Sequence, residues 1–107
     1  MTLYTFYNLY IINTNYIYTG STKSLKTRLR NHKFYSSIDH PAKVYTTIKA
    51  NGGWDNIRVE IIDKLEYEFR KDSLIKEQYY INFYKSNLNT KRSYATESDK
   101  KNDMKII

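Results

Sequence analysis

Apolar and polar residues follow two different periods along this chain, and the changes between them mark its elements. Residues 3–12 are dense in Tyr, Phe, Leu and Ile, types that favour extended backbone. Asn13-Thr14-Asn15 interrupts them, and Asn tolerates the tight geometry of a turn. Residues 16–20 resume the extended pattern and stop at Gly20. This predicts a β-hairpin. Its register stays open, because tyrosines occupy both parities.

The period then lengthens. Ser24 suits the N-cap of a helix running to about residue 34, with Leu25 and Leu29 as its buried stripe and the lysines and Arg30 facing water. Pro41 fits the first turn of a second helix. Val44, Tyr45 and Ile48 give that helix an apolar side, and Gly52-Gly53 ends it. Ile57, Val59 and Ile61 alternate with Arg58 and Glu60, which reads as a third strand. A third helix is predicted over about residues 73–84, and residues 87–90 leave it as a loop or short extended piece. The order β-β-α-α-β-α predicts an α+β fold, a small three-stranded antiparallel sheet flanked by helices. Residues 1–92 read as one domain and residues 93–107 as a polar tail.

Composition narrows the picture. With 40% hydrophobic residues and 12 tyrosines in 107 positions, the chain is too apolar for intrinsic disorder. It has no cysteine, hence neither a disulfide nor a thiolate zinc site. His32 and His40 are its two imidazoles. His40 precedes Pro41 and reads as loop structure, so any metal is expected to be a hard cation held by carboxylate and water. The first 22 residues lack Lys and Arg, and polar residues break their apolar run, unlike a signal peptide. No stretch is long enough to span a bilayer. The expected setting is intracellular, away from membranes.

Charge is unevenly spread. Residues 1–50 hold seven Lys/Arg and one acid, whereas residues 51–107 hold eleven and ten. The excess lies in Lys23, Lys26, Arg28, Arg30, Lys33, Lys43 and Lys49, and such a concentration favours a polyanion, most often nucleic acid. Within it, Arg28 and His32 stand four positions apart, one helical turn on a common face. A guanidinium beside an imidazole can grip and activate a phosphodiester. Glu77 lies among apolar neighbours on the third predicted helix. A carboxylate so placed calls for a metal or Arg28 as its partner.

A strand followed by Tyr18-Thr19-Gly20, a helix with Arg28-x-x-x-His32, the segment Asn51-Gly52-Gly53-Trp54, and a late helical Glu77 together resemble the GIY-YIG nuclease family. The resemblance covers about residues 3–92. Tyr18 and Gly20 match the second signature motif, with Thr19 in place of an aliphatic residue. Arg28, His32 and Glu77 match the helix arginine, the position one turn on, and the metal-binding glutamate; Asn89 matches a late asparagine. For the first motif, Thr5-Phe6-Tyr7 fits best, with Asn8-Leu9-Tyr10 as competitor, and no glycine precedes residue 20.

The resemblance implies hydrolysis of phosphodiesters, with DNA the expected partner and Mg²⁺ (or Mn²⁺) the cofactor. Glu77 would be the metal ligand, and Arg28 would stabilise the transition state. Tyr7 would orient or deprotonate the attacking water, while Tyr18 and His32 hydrogen-bond the phosphate or the water. Gly20, Lys23, Lys26, Arg30, Lys33 and Asn89 would contact the nucleic acid. The competing reading is a catalytically degenerate nucleic-acid-binding module on the same fold. It needs the basic face but not Glu77, and the altered motifs favour it.

Overall fold

The middle strand of the sheet, β1 (Thr2–Ile11), is buried on both faces. The other described elements supply the covers. The computed structural model describes residues 1–90, so the tail expected over residues 93–107 lies outside the described residues. After β1, Asn13 turns through the left-handed region at φ 65°, and the Thr14 hydroxyl donates to the carbonyl of Ile11. The chain returns as β2 (Ile17–Thr22), antiparallel to β1.

The pairing settles the register. Tyr7 faces Gly20 and Leu9 faces Tyr18, while Phe6 faces Ser21 and Asn8 faces Thr19. Cross-strand partners share a face. Tyr7, Leu9, Tyr18 and Gly20 therefore look one way, and Phe6, Asn8, Thr19 and Ser21 the other.

The first face is covered by α1 (Leu25–Ser37) and α2 (Lys43–Ala50). Ser24 caps α1 by accepting from the amide of Thr27. The helix runs three residues past its expected end, and its inward row changes character along its length. Leu25 and Leu29 are only half-buried, whereas His32 and Ser36 are buried. The buried stripe is thus partly polar, with the Ser36 hydroxyl donating to the carbonyl of His32. Pro41 stands outside α2 instead of in its first turn, because Ala42 is the N-cap. Val44 and Ile48 pack with Ile11 and Leu88 in the apolar core. Gly52 and Gly53 both take positive φ, 100° and 76°, which lets the chain leave α2 and enter a short 3-10 turn, Trp54–Asn56.

The third strand, β3 (Ile57–Tyr67), pairs along the other edge of β1. It is longer than the alternating stretch over residues 57–61. The cause is a bulge: Phe6 pairs with Asp63 but Tyr7 with Ile61, leaving Ile62 extra. Before the bulge, Ile57, Val59 and Ile61 face with Ile11, Leu9 and Tyr7; after it, Asp63 and Leu65 face with Phe6 and Tyr4. One inserted residue thus moves the odd-numbered set to the opposite side of the sheet.

On that second face lies α3 (Arg70–Tyr84), which begins three residues before its expected start. The Tyr80 ring meets Phe6 edge-on at 5.4 Å, and its hydroxyl donates to Asp63. Lys85 ends the helix in the left-handed region. Beneath its end, Ser86 bonds Thr19, whose hydroxyl also serves Asn8.

The chain then follows the outer edge of β2. Leu88 donates its amide to Ile17, and the Asn87 side chain accepts from the Ile17 amide. The Asn89 side chain accepts from the Thr19 amide and donates to the Thr19 carbonyl. An otherwise open strand edge is satisfied by two side-chain amides. No helix of the described residues is long and apolar enough to cross a membrane.

Candidate active site

Where this edge of β2 meets α2 and α3, a cleft of about 500 Å³ opens, lined among others by Tyr18, Lys43, Tyr45, Glu77 and Asn89. Strand β2 supplies Tyr18, and α3 carries Glu77 on the turn that reaches the strand edge. The Ser21 hydroxyl donates to Glu77 Oε1 at 2.6 Å, which fixes the half-buried carboxylate against the strand.

Behind Tyr18 lies a buried aromatic cluster centred on His32. Its Nε2 is 2.7 Å from the Tyr7 hydroxyl and its Nδ1 is 2.8 Å from the Tyr45 hydroxyl. Tyr18 packs edge-on against the imidazole, and Trp54 stacks on it. The double-glycine exit from α2 is what delivers Trp54 to that place. A neutral imidazole has one N–H, so His32 donates to one tyrosine and accepts from the other. Burial, reinforced by the Arg28 guanidinium, pushes the pKa of His32 down to about 4, and the ring is neutral at pH 7.

Gly20 explains how Tyr7 fits. A Cβ on Gly20 would lie 2.5 Å from the Tyr7 hydroxyl oxygen and 2.6 Å from Cζ. The Tyr7 ring thus occupies the space that a side chain at position 20 would take. Tyr7 itself is 0% exposed. Burial raises its hydroxyl pKa far above the usual value, with Tyr18 and Glu77 pushing the same way and Arg28 opposing. Burial also pushes Tyr18 up to about 12, with Glu77 and Tyr45 adding and Arg28 again opposing. Burial raises Tyr45, which Arg28 opposes as well. Arg28 is thus the common cation acting on three tyrosines and the histidine.

Five residues expected at a site from sequence, Tyr7, Tyr18, Arg28, His32 and Glu77, are linked through the two tyrosines: Arg28 and Glu77 both act on the Tyr7 and Tyr18 hydroxyls, and Tyr7 is bonded to His32. Tyr10, the competitor for the first motif, lies on the opposite face. It donates to Glu60 and accepts from Asn8. The other expected residues are more dispersed. Lys23 borders a second cleft beside Arg28. Lys26, Arg30 and Lys33 are exposed and lie on the side of α1 away from Arg28, given the helical turn of about 100° per residue. Asn89 lines the first cleft, but its amide oxygen and nitrogen are both bonded to Thr19. His40 accepts from the amide of Ala42, as a loop residue would.

Three residues at the site carry no clear sequence signal. Tyr45 reads only as part of an apolar helix face. Ser21 reads as the end of a strand. Arg70 precedes the expected helix, yet its Nη1 donates to Ser21 at 3.2 Å and to Ser73 at 3.1 Å.

No group of three or more His, Asp or Glu gathers among the described residues. Among the described residues Glu77 is the one carboxylate lining the cleft, which Tyr18 and Tyr45 also line. One carboxylate with neutral oxygens suits a hard divalent cation that keeps most of its water, and does not suit an all-protein cage.

Comparison with known proteins agrees with this architecture. The fold matches that of a glutamate-to-alanine variant of the catalytic domain of intron endonuclease I-TevI, with a TM-score of 0.70 at 19% identity, over 89% of this chain and 98% of that one. No curated protein sequence matches the chain. Residues 3–94 match the family model of the GIY-YIG catalytic domain. That span runs from the first strand past the last helix, and the chain accordingly belongs to the GIY-YIG family of nuclease domains.

Proposed function

We propose that this chain is a metal-dependent endonuclease that hydrolyses phosphodiester bonds in DNA. The observation that carries this reading is the meeting of Arg28, the Tyr7–His32 pair, Tyr18 and the Glu77 carboxylate at the edge of β2. The basic first half of the chain suits a polyanionic substrate.

Glu77 is the residue to hold a divalent metal, which when bound supplies positive charge to the scissile phosphate and the leaving oxygen. Ser21 keeps the carboxylate aimed at the cleft. Arg28, whose charge is permanent, stabilises the negative charge that grows on the phosphoryl oxygens. Tyr18, at the cleft wall, orients the attacking water and the phosphate.

The water's proton passes to the Tyr7 oxygen as Tyr7 gives its own proton to His32 Nε2. Water becomes the attacking hydroxide, Tyr7 stays neutral and His32 becomes imidazolium, its Nδ1–H held by Tyr45. A phenol raised by burial is a poor base alone, and the neutral imidazole behind it provides the acceptor. Negative charge brought in by the phosphate offsets the Arg28 field that holds His32 low. Because Tyr7 is buried, this route needs a shift at Tyr18 when substrate binds.

The test is cleavage of labelled duplex and branched DNA with Mg²⁺, with Mn²⁺ or with EDTA, by wild type and Arg28→Ala. Cutting that requires metal and falls at least 100-fold in the variant supports the reading. The buried Tyr7 hydroxyl and the missing first-motif glycine favour the second reading, a degenerate binding module. Salt-sensitive DNA binding without turnover on any substrate would establish that one instead.

A further inference from the structure

A second cleft, of about 370 Å³, is lined by Lys23, Arg28 and Arg70 together with Tyr4, Thr27 and Asn31. Among the described residues no carboxylate lines it. Among the described residues neither Arg28 nor Arg70 has an ion-pair partner; the two ion pairs there join Lys49 to Asp39 and Arg58 to Glu60. Cations facing one cleft without counter-charge repel one another unless an anion sits between them.

Arg70 is built into place. Two hydroxyls accept from its Nη1, those of Ser21 and Ser73, and its guanidinium lies 5.0 Å over the Tyr4 ring. These contacts hold the group without neutralising it. Ser21 also joins the two clefts, since the hydroxyl that accepts from Arg70 donates to Glu77.

We infer that Arg70 and Lys23 form a subsite for the backbone phosphate next to the scissile one. The inference rests on the nuclease reading, which puts the scissile phosphate between Arg28 and Glu77. A strand crossing that point carries its neighbouring phosphate toward the Arg70 cleft. A guanidinium presents its N–H groups in a fork that matches phosphate oxygens, and Lys23 adds a mobile charge at the rim.

The experiment is fluorescence-anisotropy binding of a short labelled duplex in EDTA across a salt series. It uses wild type, Arg70→Gln, Arg70→Lys, Lys23→Gln and, on the far edge of the sheet, Lys64→Gln. Losing one phosphate contact lowers the slope of log K against log salt by about one. Arg70→Gln and Lys23→Gln should each do so, with affinity at low salt about five- to tenfold weaker. Arg70→Lys should restore most of the slope, and Lys64→Gln should match wild type. In cleavage assays Arg70→Gln should raise KM and leave kcat within about twofold. An unchanged slope with a collapsed kcat would overturn the inference and assign Arg70 to holding Glu77 through Ser21. Wild type that neither binds DNA in EDTA nor cuts it with Mg²⁺ would refute the nuclease reading itself, whereas wild-type binding with no change in slope would remove the subsite alone.

Discussion

Gly20→Ala tests how the site is built. The added methyl would come within 2.5 Å of the Tyr7 oxygen, 2.6 Å of Cζ and 2.9 Å of Cε1. Tyr7 has no room to withdraw: it is fully buried, packs against Tyr18 and His32, and is tied to His32 Nε2. Overpacking of this kind costs about 1–3 kcal/mol. Separating Tyr7 from His32 leaves two buried polar atoms unpaired and adds about 1–3 kcal/mol. A loss of about 2–6 kcal/mol is expected, which lowers Tm by ~8–48 °C in a domain this small. Chemical and thermal unfolding, followed by circular dichroism, would measure it in Gly20→Ala, Tyr7→Leu and the double variant. The clash belongs to the pair, so Gly20→Ala in the Tyr7→Leu background should cost under about 0.5 kcal/mol. An equal cost in both backgrounds would show that the Tyr7 ring is not what excludes a side chain at position 20, and so would a cost below about 0.5 kcal/mol in wild type.

Three further outcomes follow from the same geometry. The folded pKa of His32 lies below its ordinary 6.5, at about 4, so its contribution to stability is full above about pH 6.5 and is lost as pH falls toward 4. At about 1.4 kcal/mol per tenfold change in proton activity, this is worth about 3 kcal/mol. Urea midpoints at pH 7 and pH 4 should differ by that much more in wild type than in His32→Gln, and equal differences would contradict the burial of a neutral imidazole. Tyr45→Phe should lower kcat about tenfold and shift its pH profile, because His32 Nδ1 loses its partner; a profile identical to wild type would remove Tyr45 from the relay. Asn89→Ala should cost about 2–3 kcal/mol by exposing the Thr19 amide and carbonyl on the strand edge, read from denaturant unfolding. Wild-type stability with weaker DNA binding would instead make Asn89 a substrate contact.

Much of the fold was legible because local chemistry and tertiary structure agree. The Asn13 turn, the Ser24 cap and the Gly52-Gly53 exit each follow from backbone preferences that nothing elsewhere overrides. The length of β3 was not legible, since the bulge at Ile62 reverses the meaning of alternation halfway along the strand. The inward row of α1 looked apolar only at Leu25 and Leu29. It continues through His32 and Ser36, which are buried because they hydrogen-bond to Tyr7, Tyr45 and the helix backbone. Arg28, His32 and Glu77 stand out by spacing and charge. Arg70 and Tyr45 do not, because their importance arises from contacts across 49 and 13 positions of sequence. The basic residues of α1 illustrate the same limit. Net charge locates them in one helix, but the helical turn places Lys26, Arg30 and Lys33 away from Arg28.

The most direct test of the nuclease reading is conversion of supercoiled plasmid by wild type and Glu77→Ala, with Mg²⁺ and with EDTA. Wild type should nick or linearise the plasmid with Mg²⁺ alone, and Glu77→Ala, folded by circular dichroism, should lose that activity at least 100-fold. Equal cutting by the two proteins, or cutting undiminished in EDTA, would contradict a metal-assisted site built around Glu77.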